Sequence, residues 1–233
     1  MLFDALGTRG AWKSRPMAEI ITERDEFETL AQASASAQGQ QLYKEIIPNA
    51  TGQPAPDFGF RLESFSDSFI LTFWSNEPPR QMINHLANEM IGMYDFGIVK
   101  RLLFRGAISY GAFCQGTRSL VGPAVDEAYE WSGLARWAGI LCTPTARKVI
   151  TDAAPGGEKD LQGEFAWWPV PLPGGSAVDT WVLWWPRTGK RKSLVELFLD
   201  PPVSTEVEIK MTNTLKFYDS ATKQFAVGVA GEP

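Results

Sequence analysis

The chain predicts an α+β fold in which long helices cover one face of an antiparallel or mixed sheet, and three observations predict it. Short apolar runs end in turn-forming residues; Met1 to Leu6, for instance, stops at Gly7-Thr8-Arg9-Gly10. Longer stretches carry apolar residues at three- and four-residue steps. Prolines stand at the starts of those stretches, at Pro16, Pro79 and Pro123, where the first turn of a helix has no use for the missing N–H.

Met1 to Leu6 reads as a strand that delivers one carboxylate, Asp4, to its tip. From Pro16 to about Ile47 the spacing of Ala18, Ile21, Phe27, Leu30, Ala31, Leu42 and Ile46 predicts helix, and Asn49 to Asp57 is a Gly/Pro-rich loop. Phe58 to Trp74 is a hairpin or one long strand centred on Ser64-Phe65-Ser66-Asp67-Ser68. A helix over Gln81 to about Met93 follows Pro78-Pro79, with Met82, Leu86 and Met90 on one face. Ile98 to Phe113, β-branched and aromatic, predicts a strand. Pro123 opens a helix to about Ala138 with Val125, Ala128, Leu134 and Trp137 inward, and Ile140 to Thr143 returns as a strand. That order suits a ferredoxin-like α/β core.

The remainder differs in composition. Phe165 to Pro186 holds Trp167, Trp168, Trp181, Trp184 and Trp185 around a Pro/Gly loop, which predicts two aromatic strands. Leu194–Leu199 is helix or strand, and Glu206–Leu215 with Lys216–Val229 is a final pair of extended or helical segments. We therefore expect a core over residues 1–155 and an aromatic, β-rich C-terminal extension over 156–233, packed on the core or at a dimer interface.

The 233 residues are 44 % apolar and 21 % charged, with 22 basic and 27 acidic side chains and a net charge of −5. This is a packed globular composition with no long-range attraction for nucleic acid or an anionic membrane. No run reaches the roughly 18 apolar residues a spanning helix needs, and no signal peptide is legible, so the expected location is the cytoplasm. His85 is the only histidine, and Cys114 and Cys142 are the only cysteines. Zinc fingers, His-ligated catalytic zinc and Ser-His-Asp chemistry are thereby excluded unless His85 acts alone. Any metal must be held by carboxylates, which points to Mg²⁺ or Mn²⁺.

Two aspartates stand in apolar strand contexts, Asp4 in Leu2-Phe3-Asp4-Ala5-Leu6-Gly7-Thr8 and Asp67 in Phe65-Ser66-Asp67-Ser68-Phe69. A carboxylate there needs a partner or a cation. Adjacent strands would place both around a pair of ions able to hold a triphosphate, with the turn after Asp4 offering backbone N–H groups. Alternatively each aspartate simply ends a strand or caps a turn.

In order along the chain, Phe3-Asp4-Ala5-Leu6-Gly7, Phe65-Ser66-Asp67-Ser68, Arg105 to Gly111 and Val121-Gly122-Pro123-Ala124-Val125-Asp126-Glu127-Ala128 resemble the motifs of class III nucleotidyl cyclases. The Phe-Ser-Asp-Ser form and the Gly-Pro-Ala-x-x-Glu-Ala-Tyr stretch resemble the pyrimidine cyclases of Pycsar anti-phage defence, over roughly residues 1–150. The resemblance implies metal ligation by Asp4, Asp67 and the Ala5 carbonyl, with two Mn²⁺ or Mg²⁺ ions. It implies attack of a ribose 3′-hydroxyl on the α-phosphate with loss of pyrophosphate, and a homodimer with composite sites. Phe3, Gly7, Arg9, Glu63 and Ser119 are then assigned to nucleotide binding.

Glu63 stands four residues before Asp67, and Ser119 at the partner base-selecting position. A carboxylate accepts from uracil N3–H but repels the unprotonated N3 of cytosine, so UTP is expected over CTP. The alternative places Glu63 on a solvent face. The family's Asn and Arg on the following helix are replaced by Asp126 and Glu130, so Arg105 or Arg9 must meet the transition-state charge, unless Arg105 pairs with a core carboxylate. The readings in play are a uridylate cyclase, a cytidylate cyclase and a non-catalytic nucleotide-binding module.

Overall fold

The computed structural model describes residues 2–6, 16–27, 29, 58–65, 68–75, 78–100, 102–116, 119–161, 163–186, 191–199 and 204–230; over 3–6 it describes the backbone. The fold is α+β. Its elements run β1 (Leu2–Leu6), α1 (17–27), β2 (Phe58–Phe65), β3 (Ser68–Ser75), α2 (Pro79–Val99) and β4 (Leu103–Ile108). There follow β5 (Cys114–Gln115), β6 (Leu120–Val121), α3 (Pro123–Ser132), β7 (Ile140–Cys142), α4 (Pro144–Ala153), β8 (Phe165–Pro171), β9 (Ala177–Leu183), α5 (Arg191–Leu199) and α6 (Thr205–Ala230).

Seven strands form one sheet in the order β2-β3-β1-β4-β7-β9-β8, with β5 and β6 in a separate hairpin. The first four are mutually antiparallel, which with the βαββαβ succession gives the ferredoxin-like arrangement with β1 in the centre. The strands β8 and β9 from the Trp-rich segment continue this same sheet through β7.

One face of the sheet is lined by helices because their apolar spacing demands a partner. In α2 the buried residues Ile83, Ala87, Met90, Ile91, Tyr94 and Ile98 form one stripe. In α1 the fully buried Phe27 lies 5.0 Å from both Phe69 of β3 and Phe104 of β4, ring centre to ring centre. The end of α2 meets β4 closely: a Cβ on Gly97 would stand 2.3 Å from the Phe104 ring, and the Tyr94 hydroxyl donates to the Phe104 carbonyl at 3.0 Å.

Three expected boundaries are corrected. The strand expected from Ile98 begins at Leu103, because Ile98 lies one turn beyond Tyr94 on the buried stripe and packing holds it in helix. The helix from Pro123 ends at Ser132, not Ala138, and Leu134 is exposed. Residues 136–138 are instead tied to α6: Asn213 donates to the Arg136 carbonyl at 2.9 Å, and Ala138 N–H donates to Thr214 Oγ1 at 2.8 Å. Trp137 stays fully buried, as expected, but from this bend. The final pair of segments is one helix, α6, whose start is set by the Ser204 hydroxyl accepting from Val207 N–H. The expected helix over 28–47 lies outside the described residues, apart from position 29.

Candidate functional site

Antiparallel register sets the site. Asp4 of β1 pairs with Ser68 on one side and Arg105 on the other. Directly paired residues share a face and stand about 5 Å apart at Cβ, so positions 65, 68, 4 and 105 form one rung across four strands. The next rung on that face is Glu63, Ile70, Leu2 and Ala107. Phe3 and Ala5 take the opposite parity, paired with Phe69 and Phe104, the rings that face α1 and α2.

Of the expected ligands, Asp4 occupies the central strand opposite the residue that follows Asp67. Asp67 itself, with Gly7 and Arg9, lies outside the described residues. Among the described residues no group of three or more His, Cys, Asp or Glu is placed to hold a metal ion. The proposed donors, two carboxylates and the Ala5 carbonyl, are all oxygen, and such a set fits Mg²⁺ or Mn²⁺ better than a thiophilic metal.

Arg105 is half-buried, and its Nη1 donates to the Gly133 carbonyl at 3.3 Å, just past the last turn of α3. A guanidinium there complements the negative end of the helix dipole. Its charge also reaches Glu206, whose carboxyl is held below the usual carboxylate range mainly by Lys210, with Arg136 and then Arg105 adding to it. Arg105 therefore has a structural partner as well as a position beside Asp4.

The two base-selecting candidates sit on different sheets. Glu63 is half-buried on β2, and Ser119 is exposed at the β5–β6 turn, where its carbonyl accepts from Gly116 N–H at 2.8 Å. That hairpin touches the main sheet where Thr72 Oγ1 donates to Gln115 Oε1 at 3.4 Å. Asp126 and Glu130 are both exposed on α3.

Sequence reasoning missed what Glu127 does. Its Oε1 accepts the Thr145 backbone N–H at 3.2 Å, and its other oxygen accepts the Thr145 hydroxyl. This carboxylate of α3 thus caps the first turn of α4, where free N–H groups and the helix dipole favour an anion. The only legible signal was Pro144 at N1, which marks the helix start but not the partner. Gly122 sets the approach: with φ of 145°, its Cβ would meet the Ala112 carbonyl at 2.7 Å. Cys142 is fully buried, and burial pushes its thiol pKa up, so it stays protonated, whereas Cys114 is exposed.

No protein-family model matches this chain, and no curated protein matches it. Among the described residues no helix is long and apolar enough to cross a membrane.

Proposed function

We propose that the chain is a divalent-cation-dependent nucleotide cyclase that converts UTP to 3′,5′-cyclic UMP and pyrophosphate. The observation that supports this best is the register of β1, which puts Asp4 opposite the neighbour of Asp67 on the central strands of a ferredoxin-like sheet. Asp4, Asp67 and the Ala5 carbonyl would hold two Mn²⁺ or Mg²⁺ ions. When bound, the ions supply positive charge against the triphosphate and acidify the 3′-hydroxyl.

In this reading the 3′-oxygen attacks the α-phosphorus and its proton leaves to solvent. The bond to the bridging oxygen breaks and pyrophosphate departs. Arg105, directly paired with Asp4 across the ladder, offers charge to the phosphates, and Arg9 is the second candidate. Phe3 and Gly7 belong to the nucleotide-binding segment, and Glu63 accepts from uracil N3–H with Ser119 as its partner at the base edge. A homodimer would bring Ser119 of one protomer towards the base held by the other. Acting in the cytoplasm, the enzyme would release its product as an anti-phage signal.

The second reading, a nucleotide-binding module without turnover, is favoured by one observation: the exposed carboxylates Asp126 and Glu130 stand where catalytic cyclases carry Asn and Arg. Incubation with each of the four nucleoside triphosphates and Mn²⁺, followed by mass spectrometry, separates these readings. Cyclic UMP as the main product supports the proposal. Cyclic CMP would overturn the assignment of Glu63, and no cyclic nucleotide from any substrate would leave the binding module.

A further inference from the structure

We infer that the outer edge of β8 is guarded, built so that no further strand, from a second copy of this chain or from another protein, extends the sheet there. Among the described residues β8 is the last strand of the sheet, with β9 as its partner. An outermost strand ordinarily presents a row of N–H and C=O groups that a new strand can pair with. This one would be a strong template. Phe165–Pro171 carries no charged side chain, and Trp167 is 42 % exposed on it. Uncharged, aromatic-rich segments of this length stack with their like when an edge is left open.

Ladder parity shows which groups reach that edge. In an antiparallel pair, the N–H and C=O of alternate residues point to the partner strand, and those between point away. Trp184 N–H donates to the Glu164 carbonyl and Leu172 N–H to the Ser176 carbonyl, both at 2.8 Å, at the two ends of the β8–β9 hairpin. Even-numbered residues of β8 therefore face β9, and positions 165, 167, 169 and 171 face outwards. Each outward position is closed. Phe165 N–H turns back to the Leu161 carbonyl at 3.2 Å. Trp167 N–H donates to Glu158 Oε1 at 3.0 Å, from the short 3₁₀ turn Gly157–Lys159. Pro169 and Pro171 have no N–H to give, and the Pro171 carbonyl already accepts from Arg136 N–H at 2.8 Å. A strand laid against this row would bury its own carbonyls without donors, at a cost comparable to that of lost hydrogen bonds. Both prolines stand where an edge strand tolerates them, since at an even position either would have removed a bond to β9. The guard works whether or not the sheet binds a nucleotide.

The test uses the full chain and a variant combining Glu158→Ala, Pro169→Val and Pro171→Val, which restores the outward donors without adding charge. Sedimentation velocity across a concentration series should show the variant associating beyond the parent measured alongside it, with a gain of strand signal in the amide infrared band. A folded variant with the parent's oligomeric state at every concentration would overturn the guard, and association without added strand signal would overturn its mechanism. Should circular dichroism show that this variant is misfolded, hydrogen exchange of the single variant Glu158→Ala decides the question. The Trp167 amide should exchange at least about tenfold faster there than in the parent, and Glu158→Gln, which keeps an acceptor oxygen, should recover part of the protection. Equal exchange of this amide in the parent and in Glu158→Ala would overturn the proposal.

Discussion

The first and last thirds of the sheet handle their two faces differently. Around β1, β3 and β4, one face is filled by Phe27, Phe69 and Phe104, while the other carries the Asp4, Ser68 and Arg105 rung and the Glu63 rung beside it. Beyond β7, aromatic side chains do the packing. Phe217 of α6 lies 4.7 Å from Trp137, 5.2 Å from Trp168 and 6.1 Å from Trp185, and Trp185 stacks on Tyr94 at 4.5 Å. Charged groups on a central strand have a desolvation cost that a ligand can offset, whereas a ring cluster is complete without one. The difference separates a part of the sheet that carries charged positions on one face from a part closed by aromatic packing.

The largest effect that would break this division is on stability. Phe217→Ala should destabilise by about 3–5 kcal/mol, read as a lowered urea midpoint, because it empties the centre of the ring cluster. A shift under about 1 kcal/mol would show that the aromatic third does not anchor the fold. Under the proposed cyclase reading, Asp67→Ala should leave the urea midpoint near that of the parent yet lower product formation by at least about a hundredfold, since loss of a ligand would exceed the 10–100-fold that supporting residues cost. Retained turnover would move the metal site elsewhere.

Smaller effects sharpen the comparison. Glu127→Ala should cost about 1 kcal/mol by uncapping α4, with Glu127→Gln recovering part of it through the remaining carbonyl oxygen. No difference between the two variants in thermal melting would remove the capping role. The smallest effect concerns the half-exposed pair of Arg191 with Asp219 at 2.7 Å. The Arg191 hydrogen bond holds the Asp219 carboxyl below its ordinary value. Its contribution is therefore present above the ordinary carboxylate range and is lost as pH falls through the lowered value. Asp219→Asn should cost at most about 1 kcal/mol at neutral pH, given solvent screening, and the gap between the two proteins should close on acidification. A gap that widens in acid would refute the pairing.

Much of the fold was legible because it rests on local signals. Prolines marked the starts of α1, α2 and α3, the Pro/Gly loop joined β8 to β9, and β2 paired with β3 as a hairpin, whereas α4 was not read at all. Where local signals failed, a distant segment had intervened. Leu134 left its helix because Asn213 and Thr214 take the backbone of residues 136–138, and Ile98 stayed helical because the α2 stripe buries it. Of the candidate site, Asp4 and Arg105 could be named from the sequence, but their pairing across two strands more than 90 residues apart in the chain could not.

By itself, then, the sequence determined which groups are available: one histidine, two cysteines, an acidic balance, and aspartates set in apolar sequence contexts. Composition cannot be changed by folding, so what it excludes stays excluded. Only the tertiary structure decided which of those groups share a face. Strand register alternates side chains between two faces, and a slip of one residue would have sent Asp4 towards Phe69 and Phe104 instead of Arg105. The packing of α3 beside α4 likewise turned Glu127 into the cap of a helix it does not belong to.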